Sequence, residues 1–124
     1  DSQIHIMSAK NIKIHIPFGD VSAIGPGKAD LLEAIHTNGS ISAAGRHMGM
    51  SYKRAWDLVD TMNRSFKQPL VVTATGGSQG GGAQVTEFGL EVLRRYRDIE
   101  AKADQAIIAD IGGLLEMLSP HIDS

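Results

Sequence analysis

The sequence has no cysteine, no long apolar run and no leader-like start. Without cysteine there is no disulfide and no thiolate metal site, which is compatible with a reducing cytoplasm. No run of about 18 apolar residues occurs, so no membrane span is expected. The opening Asp1-Ser2-Gln3-Ile4-His5 lacks the basic and apolar regions of a secretory leader. A chain opening on Asp1 reads as trimmed, with Met7 a candidate native start. His5, His15, His36, His47 and His121 form no His-x-x-x-His pair and lie near no carboxylate cluster of ligand spacing, so no metal is expected. Neither a Ser/His/Asp arrangement nor a paired carboxylate stands out, so no catalytic residue and no enzyme is expected. No internal repeat is visible. What is present is a chain of 124 residues, 42% apolar, enough for one packed domain with a short appendage.

The formal net charge is −2, unevenly spread. Residues 1–85 carry +2 and residues 86–124 carry −4. A cationic head and an acidic separate helix suit a nucleic-acid binder, although chance produces such asymmetry too.

Ile12, Ile14 and Ile16 alternate with Lys13 and His15, which predicts a half-buried strand closed by Pro17. Ile4 and Ile6 continue the alternation. Phe18-Gly19-Asp20 through Gly25-Pro26-Gly27 reads as a loop. A helix follows from Pro26 to Thr37, with Asn38-Gly39 as its stop. Ser40 then caps a short helix with Ile41, Ala44 and Met48 on its apolar face, and Gly49-Met50 joins it to a third helix capped by Ser51.

Wound at about 100° per residue, the third helix gathers Ala55, Leu58, Val59 and Met62 on one side. Lys53, Asp57, Asp60 and Arg64 face the other way. Arg54 and Thr61 lie at one edge, Tyr52 and Trp56 at the other. Next come a strand over Leu70-Val71-Val72-Thr73-Ala74, a turn-rich Thr75-Gly76-Gly77-Ser78-Gln79-Gly80-Gly81-Gly82, and a short strand at Gln84-Val85-Thr86. The final helix starts at Thr86. Its apolar stripe of about 25 residues exceeds the ~10–14 usual in globular proteins, and Gly112-Gly113 is expected to break it.

Two helices with a tight joint, the second opening on Tyr52-Lys53-Arg54, are the pattern of a helix-turn-helix that reads the major groove. The bland alternative is ordinary helix packing with a solvated charged face. A strand, glycine loop and strand after the recognition helix favour the DNA reading, because that order makes a wing. Lys53 and Arg54 are the candidates for guanine edges or phosphates. Ser42 and Ser51, at helix starts, suit phosphate contacts. Tyr52 joins this surface, with packing as its alternative. Trp56 reads as packing in preference to base stacking.

The glycine loop lacks the Gly-Lys-Ser/Thr ending of a phosphate cradle. Thr75, Gly76, Gly77, Ser78 and Gln79 therefore read as a wing tip in or beside the minor groove, or as a plain hairpin tip. Arg94-Arg95-Tyr96-Arg97 suits either the DNA backbone or a solvated face. Val92, Tyr96, Ile99, Ala103 and Ile107 are the candidate dimerisation stripe, with packing on the chain's own head as the alternative.

The fold expected is mainly α with a small β wing: a winged helix-turn-helix over residues 10–86, then a long C-terminal dimerisation helix and tail over 87–124. Ser51-Tyr52-Lys53-Arg54-Ala55-Trp56-Asp57, Met62-Asn63, Ala74-Thr75-Gly76-Gly77, Gly80-Gly81-Gly82-Ala83, Thr86 and Gly89 resemble the N-terminal domain of the molybdate-responsive transcriptional regulators, the ModE family, with its LysR-type winged helix. The resemblance covers about residues 10–110. It implies a homodimer joined through the long helix that binds operators of molybdate-uptake or molybdoenzyme genes. It carries Ser51 to Arg54 over as recognition-helix residues, and Gly76, Gly77 and Gly80 to Gly82 as wing. Full-length members also carry C-terminal molybdate-binding modules, for which there is no room before Ser124, so no cofactor is expected. Ser78-Gln79 stands where a wing lysine is common. The expected partners are double-stranded DNA and a second copy, in the cytoplasm, with no membrane. The alternative is a protein–protein adaptor that dimerises with, or titrates, a full-length regulator.

Overall fold

The computed structural model describes residues 12–74 and 82–120. Two antiparallel strands come first, β1 (Ile16–Phe18) and β2 (Val21–Ile24). Burial alternates from Ile12 to Ile16 as the sequence suggests, but pairing begins only at Ile16. Pro17 lies inside β1 rather than ending it, beside a shift in register between Ile16 and Pro17. An irregular edge strand tolerates the missing N–H there. The segment expected to be loop also holds β2: Val21-Ser22-Ala23-Ile24 is too short for a clear alternation, yet Ala23 and Ile24 are buried.

Three helices follow. α1 (Pro26–Asn38) starts at a proline and ends at Gly39, whose φ of 76° lets its N–H bond back to the Ile35 carbonyl at 2.8 Å. The apolar positions Leu31, Leu32 and Ile35 are fully buried. Ser40 caps α2 (Ile41–His47), its hydroxyl accepting from the Ala43 N–H at 2.9 Å. Gly49, at φ 70°, turns the chain into α3 (Tyr52–Ser65). Helices α2 and α3 cross closely where a Cβ on Gly45 would sit 3.3 Å from that of Ala55. Ala55, Val59 and Met62 are the buried face of α3, and Leu58 is partly buried against the same core.

The wing strands β3 (Val71–Ala74) and β4 (Gly82–Val85) pair from Val71↔Val85 to Ala74↔Gly82. Asn63 ties α3 to this hairpin. Its amide oxygen accepts from the Leu70 and Val71 N–H groups at 2.8 and 3.2 Å, and its NH2 donates to the Val71 carbonyl at 3.0 Å. A backbone bond from Ala83 N–H to Gly39 O, 2.9 Å, fastens β4 to the end of α1. This order of elements, with Leu70, Val71 and Val85 in one core with α1 to α3, is a winged helix-turn-helix.

The last helix, α4 (Glu87–Leu115), is capped by Thr86, whose hydroxyl accepts from the Gly89 N–H at 2.9 Å. It has 29 residues and runs through Gly112-Gly113 without breaking, contrary to the expectation from sequence. Two glycines cost about 1 kcal/mol each in a helix interior, and the good formers Leu114 and Leu115 extend the helix past them. The first turns of α4 belong to the head. Phe88, Val92 and Leu93 pack on the main core, and Tyr96 closes a second one with Ile24 and Ala29.

Candidate DNA-recognition surface

The first turn of α3 stands clear of the core. Ser51 is extended, and its hydroxyl accepts from the Arg54 N–H at 3.1 Å, so the helix begins cleanly at Tyr52. Tyr52, Lys53 and Arg54 are all exposed. Lys53 Nζ lies 3.0 Å from Asp57, with the two side chains 85% and 64% exposed. An ion pair so open to water is worth about 0.2–1 kcal/mol, little enough for Lys53 to exchange Asp57 for a nucleic-acid group. Arg64 is tied to Asp60 in the same way one turn on. The outer face of α3 is therefore cationic at its start and self-neutralised further along.

Arg54 has no ion-pair partner among the described residues. Its charge is felt by Lys28 on α1. That amine donates to the Ser22 carbonyl at 2.7 Å, and its pKa is lowered first by partial burial and then by Arg54. Two cations thus share one side of the recognition helix. The sequence reading missed Lys28, because nothing in periodicity links it to Arg54.

On the other side, Tyr52 and Trp56 meet edge to face with centroids 6.2 Å apart. Trp56 is half-buried against the core, as its packing role required, and its indole Nε1 is buried without a hydrogen-bond partner. These rings, the start of α2 with Ser40 and Ser42, and the wing base at Thr73 and Gly82 enclose a groove of about 360 Å³. The Ser42 hydroxyl accepts from Arg46 at 2.8 Å within α2. Ser42 and Tyr52 therefore come together next to the wing base, while Ser51, Lys53 and Arg54 share the exposed start of α3. Thr75, Gly76, Gly77, Ser78 and Gln79 lie outside the described residues.

The Arg94 to Arg97 run divides. Arg94 and Arg95 both hydrogen-bond Glu91 and hold its carboxyl well down, to about 2. Arg97 reaches across to α1, with Nη2 at 2.8 Å from Asp30 and 3.1 Å from Glu33, while Nη1 is 3.0 Å from Glu100. Its pKa is raised by those carboxylates against the opposing effect of burial. Tyr96 is 2% exposed, and its hydroxyl donates to the Ile14 carbonyl at 2.6 Å. Burial, then the Glu100 charge, pushes its pKa up. Of the candidate dimerisation stripe, Tyr96 is thus held within its own chain. Ile99 is 42% exposed, and Val92, Ala103 and Ile107 are partly buried. Among the described residues no group of His, Asp and Glu could hold a metal ion, and no helix is long and apolar enough to cross a membrane.

No family model matches the chain. It is 43% identical over 86 residues to the molybdenum transport protein ModE of Azotobacter vinelandii, covering 69% of this chain and 32% of that protein. To the molybdenum-pterin-binding protein MopA of Rhodobacter capsulatus it is 43% identical over 91 residues, 73% of this chain and 34% of the other. To the DNA-binding transcriptional dual regulator ModE of Escherichia coli (strain K12) it is 41% identical over 80 residues, 64% of this chain and 30% of the other. A solved MarR family protein from Bacillus stearothermophilus is 20% identical with a TM-score of 0.49, covering 78% of this chain and 63% of that one. ArgP from Mycobacterium tuberculosis is 21% identical with a TM-score of 0.46, covering 74% and 30%. The chain spans about a third of the length of these curated relatives, and over that stretch they support the molybdate-responsive ModE family.

Proposed function

We propose that this chain is the DNA-binding head and dimerisation helix of a sequence-specific transcriptional regulator of the molybdate-responsive type, acting as a homodimer in the cytoplasm. The observation that carries the reading is the exposed first turn of α3, which presents Lys53 and Arg54 to solvent while Tyr52 lines a groove with the wing base. A relative named as a DNA-binding transcriptional regulator supports it. In this mechanism α3 enters the major groove by its N-terminus, Ser42 and Ser51 sit at phosphates, and the wing lies alongside. Asp57 and Asp60 confine close approach to the first turns. Occupancy of an operator is the whole activity, with no chemistry.

Homodimerisation is supported by the apolar positions left open on α4, Ile99 and Leu114, and just beyond it, Met117 and Leu118, which are 42–81% exposed. On the helix itself, Ile99, Ala103, Ile107 and Leu114 offer a second copy one face, whereas Val92 packs on the chain's own head. A cleft of about 460 Å³ beside α1 is lined by Asp30 and Glu33, whose charge disfavours an oxyanion there.

The test replaces Lys53 or Arg54 by Ala and measures operator affinity. A residue bonded bidentately to a base edge costs about 1–3 kcal/mol when removed, while a phosphate contact lowers affinity evenly across sequences and flattens the salt dependence. Unchanged affinity in both variants would defeat the assignment. The adaptor reading draws on Asp57 and Asp60, which neutralise most of α3's outer face. It requires recovery of a protein partner that survives nuclease treatment.

A further inference from the structure

We infer that Arg97 is a positioning residue: it fixes the angle between α4 and the recognition head, and thereby the half-site spacing that a dimer accepts. This rests on the homodimeric DNA-binding reading above. Two kinds of contact hold α4 to the head. The apolar ones, Tyr96 against Ile24 and Ala29, keep the helix close but are non-directional. Hydrogen bonds are directional, and Arg97 supplies a fork of them. Its Nη2 spans Asp30 and Glu33, which lie three residues apart on α1, while Nη1 is held by Glu100 on its own helix. The planar guanidinium is thus fixed at three points on two helices, a geometry that a lysine cannot reproduce.

The placement is what matters. Among the described residues, Arg97 makes the last side-chain hydrogen bonds from α4 to α1, and none beyond Glu100 joins α4 to the head. From Ala101 to Leu115 the helix continues, reaching roughly 22 Å at about 1.5 Å per residue. A change of about 10° at the root of such an arm displaces its far end by roughly 4 Å, close to one base-pair step of ~3.4 Å. Since α1 packs directly on α2 and α3, whatever fixes α4 against α1 also fixes it against the recognition helix. If two arms meet, the Arg97 fork sets how far apart, and at what rotation, the two recognition helices lie.

The test uses the 124-residue chain and fluorescence anisotropy on duplexes carrying two selected half-sites, with the natural spacer and with one or two base pairs added or removed. The wild-type chain should lose roughly tenfold in affinity for each base pair of mis-spacing, the scale of losing one specific base-pair contact. Asp30→Asn with Glu33→Gln removes the cross-helix arms and leaves the Arg97–Glu100 pair. These carboxylates are 58% and 59% exposed, so the fold should survive their loss. That variant and Arg97→Ala should hold affinity at the natural spacer and lose less than about threefold elsewhere, with Arg97→Lys intermediate. A folded Asp30→Asn/Glu33→Gln variant that keeps the sharp wild-type spacing profile overturns the inference. If the wild-type chain itself has no spacing preference and binds one half-site, the dimeric reading fails and the inference falls with it. The two failures appear in different proteins and cannot be confused.

Discussion

Replacing Asn63 by Ala should destabilise the protein by about 2–4 kcal/mol. One side chain makes three hydrogen bonds to Leu70 and Val71, where β3 begins. Each is worth about 1 kcal/mol net, and a buried donor left unpaired costs about 1–3 kcal/mol. Leu70 is fully buried, so its N–H would be such a donor. The two effects describe some of the same groups, which is why the estimate stops at about 4 kcal/mol. The damage is also placed where it matters for function, because Asn63 joins the end of the recognition helix to the wing. Urea denaturation followed by far-UV circular dichroism measures it, with Lys67→Ala, an exposed neighbour, as control. At a shift of about 4 °C per kcal/mol for a chain of this length, the melting temperature should drop by roughly 8 °C or more. A loss under about 0.5 kcal/mol, the range of ordinary surface substitutions, would refute the view that Asn63 fastens the wing.

Two further predictions concern α4. Gly89→Ala should destabilise by about 1–3 kcal/mol despite better helix propensity, because the new Cβ would fall against the Leu70 carbonyl and Val85. Gly113→Ala meets nothing within 4 Å and should stabilise by about 0.5–1 kcal/mol; the same signs reversed in urea titrations would refute this account of the helix. Glu91 has a folded-state carboxyl depressed to about 2 by Arg94 and Arg95, against a usual 4.5. Its contribution is present above 4.5 and is lost as pH falls through about 2, so α4 helicity should decline in that acid window and decline less in Glu91→Gln.

Much of the fold was legible because local rules and tertiary packing agree. Ser40, Ser51 and Thr86 are caps in sequence and in structure, and the 100° winding of α3 separated Ala55, Val59 and Met62 from Lys53 and Asp57. The hairpin strand β2 was not legible, since Val21 to Ile24 is four residues between Gly19-Asp20 and Gly25-Pro26, and only its pairing with β1 makes it a strand. Gly112-Gly113 misled because single-residue propensity is weak against the neighbours that extend the helix. The apolar stripe of α4 was legible, but periodicity does not say what covers it, so Tyr96 looked like a dimer contact until its bond to Ile14 was seen. The reach of Arg97 to α1 was missed for a related reason: Asp30 and Glu33 are distant in sequence, and charge pairing across such distances leaves no local pattern.

The central claim is sequence-specific DNA binding, and selection of bound fragments from a genomic library at two salt concentrations tests it most directly. Phosphate contacts weaken as salt rises, whereas base contacts keep the selectivity. The account predicts an enriched two-fold-symmetric site that survives at the higher salt and is weakened by Lys53→Ala and Arg54→Ala. Weak binding erased by salt, with no enriched site, would contradict it.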